Sequence, residues 1–246
     1  MGCSSSREEN PLEVSLTAVQ NRLGFQDCAV EEVASAFETW SLGQIVLYKH
    51  MQAIIRKFDL TFDSPEAVHL LTLLSLPSPA SLSPDLLSLL PTLPSDFQSS
   101  TDPVYSKHLL IILSCLLSKG TNTAKGKAII QCFDEKCTGE FYEPELKAVV
   151  REMYRVACEV VPELMKAEDW TEEMKEYVGN TRKGVDKAVE KSVAFLLDRR
   201  RSINVDEFSD KFEEYQGSEM SHFAGLRKLA AAAALSPLPP TPLAKD

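Results

Sequence analysis

The chain has 246 residues, a formal net charge of −10 at pH 7, and 44% hydrophobic and 25% charged residues. This length suits one compact domain or two small lobes, and the apolar fraction excludes a chain that is disordered throughout. The acidic balance argues against a nucleic-acid-binding protein, because such a protein needs a basic surface to meet phosphates. The sequence has no uninterrupted run of about 18 apolar residues, so we expect no transmembrane helix.

The N-terminus, MGCSSSR, fits the pattern for N-myristoylation, with Gly2 exposed once Met1 is removed and Ser6 at the required place. One myristoyl chain binds membranes with an association constant of only about 10⁴ M⁻¹, so stable anchoring needs a second signal. Cys3 could supply it by palmitoylation. We therefore predict a lipidated segment, residues 1–10, at the cytoplasmic face of a membrane, either the plasma membrane or a flagellar or ciliary membrane. The alternative is a serine-rich start that matches by chance.

The six cysteines do not have metal-ligand spacing. Cys132 and Cys137 have neither a second pair nor a nearby histidine, which disfavours a zinc site. Because the N-terminus lacks the apolar segment of a secretory signal, reduced thiols in the cytosol are expected. We interpret the five internal cysteines as small apolar core residues; they are Cys28, Cys115, Cys132, Cys137 and Cys158.

Apolar residues at helical spacing predict helices over residues 11–60. Residues 63–96 are rich in Leu, Ser and Pro, and the prolines limit this stretch to two short helices. The proline-rich end, residues 236–246, is expected to be disordered. Short ladders between paired loops are the only strands expected, so the predicted class is all-α. The predicted helices after residue 60 span residues 66–76, 84–90, 107–118, 124–133, 144–166, 171–197, 205–216 and 223–235.

A calcium-loop pattern follows the helix at 124–133. Asp134 is first, Gly139 sixth, Phe141 eighth and Glu145 twelfth, which is the frame of an EF-hand. Glycine permits the sharp turn through positive φ, and Glu145 on the outgoing helix would close a site with two oxygens. Pro144 falls in the first turn of that helix, where a missing N–H is tolerated.

The same frame recurs, each time after a phenylalanine and between helical segments, which favours an internal repeat. The leading residues are Phe37, Phe97, Phe133 and Phe195, and the predicted loops span residues 38–49, 98–109, 134–145 and 196–207. The eighth positions are Ile45, Tyr105, Phe141 and Ile203.

Residues 109–121 and 128–148 resemble the middle of neuronal calcium sensor proteins and their calcineurin-B-like relatives, and residues 202–208 resemble the final hand of that family. The resemblance covers residues 107–216 and, more loosely, 11–60. It implies an all-α fold of two lobes of paired EF-hands, with short two-stranded ladders between the loops. The implied domains are the lipidated segment 1–10, an N-terminal pair 11–118 with a Leu/Pro-rich insertion at 61–96, a C-terminal pair 119–217, and a helix and tail at 218–246.

Three of the four loops are expected not to bind calcium, which requires six to eight oxygens. The first has Lys49 at its twelfth position, and the second ends in Leu109 with Pro103 at the place of glycine. The fourth begins with Leu196 and carries three arginines that oppose a dication. We expect those guanidinium groups to pair with the carboxylates left in that loop; the arginines are Arg199, Arg200 and Arg201, and the carboxylates are Asp198 and Glu207.

The third loop is the candidate calcium site. Its ligands would be Asp134, Thr138, the carbonyl of Glu140, and Glu145. Lys136 occupies the third position, so we expect weak binding or none, poorer than the ~10⁻⁷–10⁻⁵ M of working sensors. A structural loop held by hydrogen bonds without metal is the favoured interpretation.

Paired hands enclose an apolar groove that accepts an amphipathic helix. Two segments of this chain could fill it, residues 70–90 and the helix at 223–235. For the first, ordinary core packing is the favoured alternative. For the second, the alanine run gives little apolar bulk, and a helix unattached in solvent is the alternative.

These patterns favour a membrane-anchored EF-hand regulatory or adaptor protein that binds the amphipathic helix of an unidentified protein. The alternative is a working calcium sensor that uses the third hand, residues 134–145. No nucleic acid, and no cofactor other than calcium, is expected. An enzyme is disfavoured because the four histidines lie far apart and no known catalytic motif is present; they are His50, His69, His108 and His222.

Overall fold

The computed structural model describes residues 10–60, 65–76, 102–134, 136–164, 170–216 and 218–236. This part of the chain is mainly helical with small antiparallel sheets, which confirms the predicted helical class. Within it, no helix combines the length and the apolar character needed to cross a membrane.

Ten α-helices carry the described part of the chain. They are α1 (Pro11–Asn21), α2 (Val30–Trp40), α3 (Tyr48–Lys57), α4 (Pro65–Leu74), α5 (Lys107–Leu117), α6 (Asn122–Phe133), α7 (Glu143–Arg155), α8 (Glu172–Leu197), α9 (Val205–Glu214) and α10 (Phe223–Leu235). Helix α7 continues through a π turn (Val156–Val160) into a last α turn (Val161–Glu163), and short 3₁₀ turns occur at Phe25–Asp27 and Glu219–Ser221. Six short strands are β1 (Ser41–Leu42), β2 (Ile45–Leu47), β3 (Ser75–Leu76), β4 (Val104–Ser106), β5 (Glu140–Tyr142) and β6 (Ser202–Asn204).

Local side chains fix where several helices begin. Asn10 accepts the N–H of Leu12 ahead of α1, and Pro11 supplies a preset φ at its first position. Thr121 and Thr171 cap α6 and α8 in the same way. The predicted helices after residue 60 agree with the structure to within about two residues at most ends. The predicted helix at 84–90 and the tail at 237–246 lie outside the described residues.

The sheets are more extensive than predicted in the first half of the chain. There the strands form one four-stranded sheet in the order β1-β2-β4-β3, whereas β5 and β6 form the predicted two-stranded ladder. Gly43, at φ +59°, allows the tight turn that folds β1 back on β2. β3 adds to the outer edge of β4, so a single ladder was too simple a prediction for this half.

The strand register corrects the frame predicted for the first loop. Val46 lies opposite Tyr105, as Phe141 lies opposite Ile203. Each of these residues stands two positions before its outgoing helix. Val46, not Ile45, is therefore the equivalent of the other eighth positions, and the twelfth position becomes His50 instead of Lys49.

One continuous core cluster joins both halves of the described chain. Helix α2 packs on α5, α6 on α9, and α7 on α8. Between the halves, the N–H of Val30 donates to the carbonyl of Lys119 at 2.8 Å, and the N–H of Lys119 donates to the carbonyl of Cys28 at 2.9 Å. Leu70 and Leu74 of α4 are fully buried in this core, which supports ordinary core packing for the described part of residues 70–90.

Helix α10 is packed against α8, which excludes the alternative of a helix unattached in solvent. Leu226, Ala230 and Ala233 are buried. At the crossing, a Cβ built on Gly184 of α8 would lie 1.9 Å from the carbonyl oxygen of Ala230. The backbones of α8 and α10 approach closely at this crossing, which requires small side chains. This requirement explains the alanine run of α10.

Four of the five internal cysteines are buried, as predicted, but Cys137 is exposed. It lies in the third loop at φ +51°, a turn position that cannot be packed into the core. Burial raises the pKa of the Cys158 thiol to about 12, which suits a structural role for that residue.

Candidate functional site

The third loop is closed by hydrogen bonds from its own backbone. Asp134, at the end of α6, accepts the N–H of Thr138 through Oδ1 at 2.9 Å and the N–H of Gly139 through Oδ2 at 2.7 Å. The hydroxyl of Thr138 donates to the carbonyl of Glu140 at 3.1 Å. Gly139 has φ +68°, as a sharp turn requires. The structure thus brings three of the four predicted calcium ligands together.

Glu145, the fourth predicted ligand, is engaged elsewhere. Its Oε2 accepts the N–H of Tyr142 at 2.9 Å, so it caps the first turn of α7. Pro144 stands in that turn, as predicted. Lys136, at the third position, is exposed. Among the described residues, no group of three or more His, Cys, Asp or Glu is placed to hold a metal ion.

The fourth loop is held by charges of the protein itself. The guanidinium of Arg200 pairs with Glu207, which confirms the expected pairing for that carboxylate. Asp198 instead lies 3.6 Å from the ammonium of Lys211. The hydrogen bond from the backbone N–H of Asn204, and then the Arg200 guanidinium, hold the pKa of Glu207 below its ordinary value. Both carboxylates are therefore compensated without an ion.

The first loop also lacks a ligand cage. Glu38, its first residue in the predicted frame, pairs with the buried ammonium of Lys107 at 2.8 Å. The ring of Trp40 packs edge-on against His50, with centroids 5.5 Å apart. Residues 98–101 of the predicted second loop lie outside the described residues.

The β5–β6 ladder couples the third loop to the fourth. The side chains of Phe141 and Ile203 are buried at its centre, and the N–H of Val205 donates to the carbonyl of Gly139 at 3.3 Å. The Arg200–Glu207 ion pair fixes the conformation of the fourth loop. Through the β5–β6 ladder, the fourth loop in turn holds the backbone of the third loop in place.

Two clefts open on the surface of these units. One, of about 670 Å³, lies between α3 and α4, and its lining includes Tyr48, Ile55, Val68 and Leu71. Val68 is 55% exposed there, although it belongs to a helix with a buried face. The lining is mixed, because Gln52, Thr72 and Ser75 stand beside these apolar side chains.

The second cleft, of about 470 Å³, lies between α4, the start of α5 and α7. Leu73, Leu76 and Phe133 form part of its lining, together with Glu145 and Arg155. A candidate calcium ligand thus borders a cleft between the two halves of the chain.

A buried polar network between three helices was missed by the sequence analysis. Arg227 of α10 is fully buried; its Nε donates to Glu13 Oε1 at 2.8 Å and its Nη2 to Glu13 Oε2 at 2.5 Å. Its Nη1 donates to the carbonyl of Ala157 in the π turn at 3.1 Å. Tyr177 of α8 donates its hydroxyl to Glu13, and burial raises the tyrosine pKa. Glu13 and Arg227 lie at opposite ends of the sequence, and no spacing rule links them.

Comparison with family models, curated proteins and solved structures finds no match to this chain. Its function therefore has to be argued from the side chains described above.

Proposed function

We propose that this chain is a membrane-anchored regulatory or adaptor protein of EF-hand type that binds a partner helix, with weak or absent calcium binding. The observation that carries the proposal is the closure of the third and fourth loops by groups of the protein. In the fourth, Arg200 and Glu207 pair; in the third, Asp134 and Glu145 accept backbone N–H groups.

The strand register supports the EF-hand assignment. In each half, two helix–loop–helix units meet through short antiparallel strands, and each central residue stands two positions before the outgoing helix. Positive φ at Gly139 and the capping of α7 by Glu145 agree with the frame read from the sequence. The same spacing between the paired strand residue and the outgoing helix in all four units favours one repeated design over four unrelated loops.

Weak calcium binding is favoured by what an ion would have to displace. Glu145 would leave its N–H partner at Tyr142 and turn toward Asp134. Lys136 would stand beside the ion, and like charges a few ångströms apart repel strongly. Both costs reduce the free energy of calcium binding.

The cleft between α3 and α4 supports the partner-helix part of the proposal. Amphipathic helices bind through apolar residues on one face that enter an apolar groove. Ile55, Val68 and Leu71 offer such a groove, and Gln52 and Thr72 provide polar groups along it.

The membrane part of the proposal depends on Gly2 and Cys3, which lie outside the described residues. Two acyl chains would hold the chain at the cytoplasmic face of a membrane far more firmly than one. The first described residue, Asn10, caps α1, so the lipidated segment would lead directly into the folded part.

A working calcium sensor is the second candidate, and the position of Glu145 favours it. This carboxylate stands at the twelfth position of the third loop and also borders the cleft between the halves. If an ion drew Glu145 into the loop, the lining of that cleft would change, which would link calcium to partner binding.

Calorimetric titration of calcium into the purified chain, with magnesium present, separates the two functions. A flat trace is expected for the adaptor. A single micromolar site that is lost in Glu145→Gln, but kept in the neighbouring control Glu143→Gln, would make the chain a sensor. A micromolar site that survives Glu145→Gln would contradict the assignment of the third loop.

A further inference from the structure

Helix α8 carries a line of lysines on one side. Lys183, Lys187 and Lys191 are spaced by four residues, so at 3.6 residues per turn they fall within an arc of about 80°. Lys183 and Lys191 are exposed and Lys187 is half-buried. Such a line is unexpected in a chain of net charge −10.

An exposed leucine stands beside this line. Lys187 donates to the carbonyl of Ser236 at 2.6 Å, and Lys191 to the hydroxyl of Ser236 at 3.2 Å. Leu235, the preceding residue, is 89% exposed. These bonds cap the C-terminus of α10, which explains two of the lysines but neither Lys183 nor the exposed leucine.

Two more basic side chains follow in the turn that ends α8, beyond its helical positions. Phe195, four residues after Lys191, is 37% exposed, and Arg199 and Arg201 follow it as exposed residues. Within the ranges that the structure describes, neither of these arginines has a hydrogen bond or an ion pair. We call Lys183, Lys187, Lys191, Arg199 and Arg201, with Phe195 and Leu235, the basic face.

The acidic groups next to the basic face are compensated by other partners. Asp186 pairs with Arg151 at 2.9 Å and Glu190 with Lys147 at 3.1 Å, both across the side of α8 that meets α7. Glu207 pairs with Arg200. More distant carboxylates are screened, because the Debye length is about 8 Å at physiological ionic strength. The five basic side chains of the basic face therefore outnumber these three carboxylates, although the chain as a whole is acidic.

We propose that the basic face binds an anionic lipid bilayer directly, as a membrane contact separate from the N-terminal acyl chains. Basic side chains near a membrane surface are attracted by anionic headgroups, and each strengthens binding by about fivefold. Leu235 can enter the boundary between headgroups and acyl chains, as apolar residues of interfacial helices do, whereas the ring of Phe195 packs against Tyr215. An acidic protein partner would explain the charges but not the exposed leucine.

The inference goes beyond the proposed function and does not require acylation. It is therefore tested on full-length protein carrying Gly2→Ala, which cannot be myristoylated. Sedimentation is measured with vesicles of phosphatidylcholine and with vesicles containing about 30% phosphatidylserine, whose surface is negative. We expect binding to the anionic vesicles only, weakening as salt is added.

The deciding variant is Lys183→Gln/Arg199→Gln/Arg201→Gln, which leaves the two lysines that cap α10 intact. We expect its affinity for anionic vesicles to fall by about 10- to 100-fold. The control Lys49→Gln/Arg56→Gln/Lys57→Gln removes the same charge from exposed positions on α3 and should change affinity by less than about threefold. Leu235→Ser should weaken binding without unfolding the chain, because that side chain is exposed.

Three results would overturn the proposal. The first is no binding of the parent protein to anionic vesicles at low salt, and the second is an equal loss of affinity in the deciding variant and its control. The third is binding of soluble polyglutamate in place of vesicles, which would assign the basic face to an acidic protein. None of these results would bear on the acyl anchor, because the tested protein lacks it.

Discussion

Two basic side chains of the protein pair with two carboxylates of the fourth loop. The guanidinium of Arg200 meets Glu207 on the outgoing helix, while Lys211 approaches Asp198 at the start of the loop. Apart from the mostly buried Lys211, the partners in these ion pairs are exposed to solvent, so each pair adds little to the overall free energy of unfolding. Their value lies in holding the loop shape, since the strand after Arg200 pairs with the third loop.

Replacing Arg200 by methionine should raise the pKa of Glu207 toward its ordinary value. The shift should be partial, because the N–H of Asn204 is the larger cause of the lowered pKa and remains. A lowered carboxyl pKa stabilises the folded state above the unfolded pKa and loses this effect as pH falls through the folded pKa. The stabilisation present at neutral pH and lost on acidification should therefore become smaller in Arg200→Met. Carboxyl NMR titration measures the pKa directly.

Arg201→Met is the matched control, since Arg201 is a neighbouring exposed arginine without an ion pair in the described part of the chain. Equal titration curves for Glu207 in the two variants would show that Arg200 does not act on this carboxylate.

At the scale of the secondary-structure elements, the crossing of α8 and α10 is the closest approach of two helices at a glycine. Gly184 lies against the backbone of α10 at Ala230 and Ala234. The alanine-rich sequence of α10 could be predicted to form a helix, because alanine has the highest helix propensity. Its partner could not be predicted, since the glycine that admits it lies on another helix far away in the sequence.

Gly184→Ala should destabilise the chain by about 1–3 kcal/mol, because its Cβ would force the two helices apart. Gly179→Ala on the same helix has nothing within 4 Å of its Cβ. It should be neutral or should stabilise the helix by up to about 1 kcal/mol. Urea denaturation of both variants measures the difference, and similar midpoints would contradict the close crossing.

The first loop shows what sequence spacing cannot decide. Its frame was set by Gly43 at the sixth position, but that glycine turns a β1–β2 hairpin and shifts the register by one residue. In the third loop, the spacing correctly placed Asp134, Thr138 and Glu140 together. The orientation of Glu145 was beyond prediction, because it depends on competition between a helix N–H and an ion for the same carboxylate.

At the scale of the whole molecule, the two halves share one core and leave clefts on their surface. Helical periodicity predicted most of the helices, since each has an apolar stripe that must be buried. The clefts depend on the angles between neighbouring helices, and no local sequence pattern encodes those angles. The cleft between α3 and α4 is therefore a feature of the assembled fold.

A designed amphipathic peptide, with leucines at i, i+3, i+4 and i+7, probes that cleft. Val68→Glu should weaken its binding by about tenfold or more, because a carboxylate would be buried against the leucines. Val14→Glu is the matched control, as Val14 is 50% exposed and Val68 is 55% exposed. Fluorescence anisotropy of a labelled peptide gives both affinities. Equal losses in the two variants would exclude the cleft as the peptide site.

The Glu13–Arg227 pair also determines how the molecule would respond to mechanical load. Glu13 lies in the first turn of α1, and Arg227 fastens it to α10 and, through Ala157, to the π turn. A force on the N-terminus, such as a membrane anchor would exert, therefore reaches α10, the last helix of the described chain, through the Glu13–Arg227 pair in the first turn of α1. The tension would act on a buried charge pair instead of peeling α1 away residue by residue, so detachment of the first helix should occur as a single abrupt event.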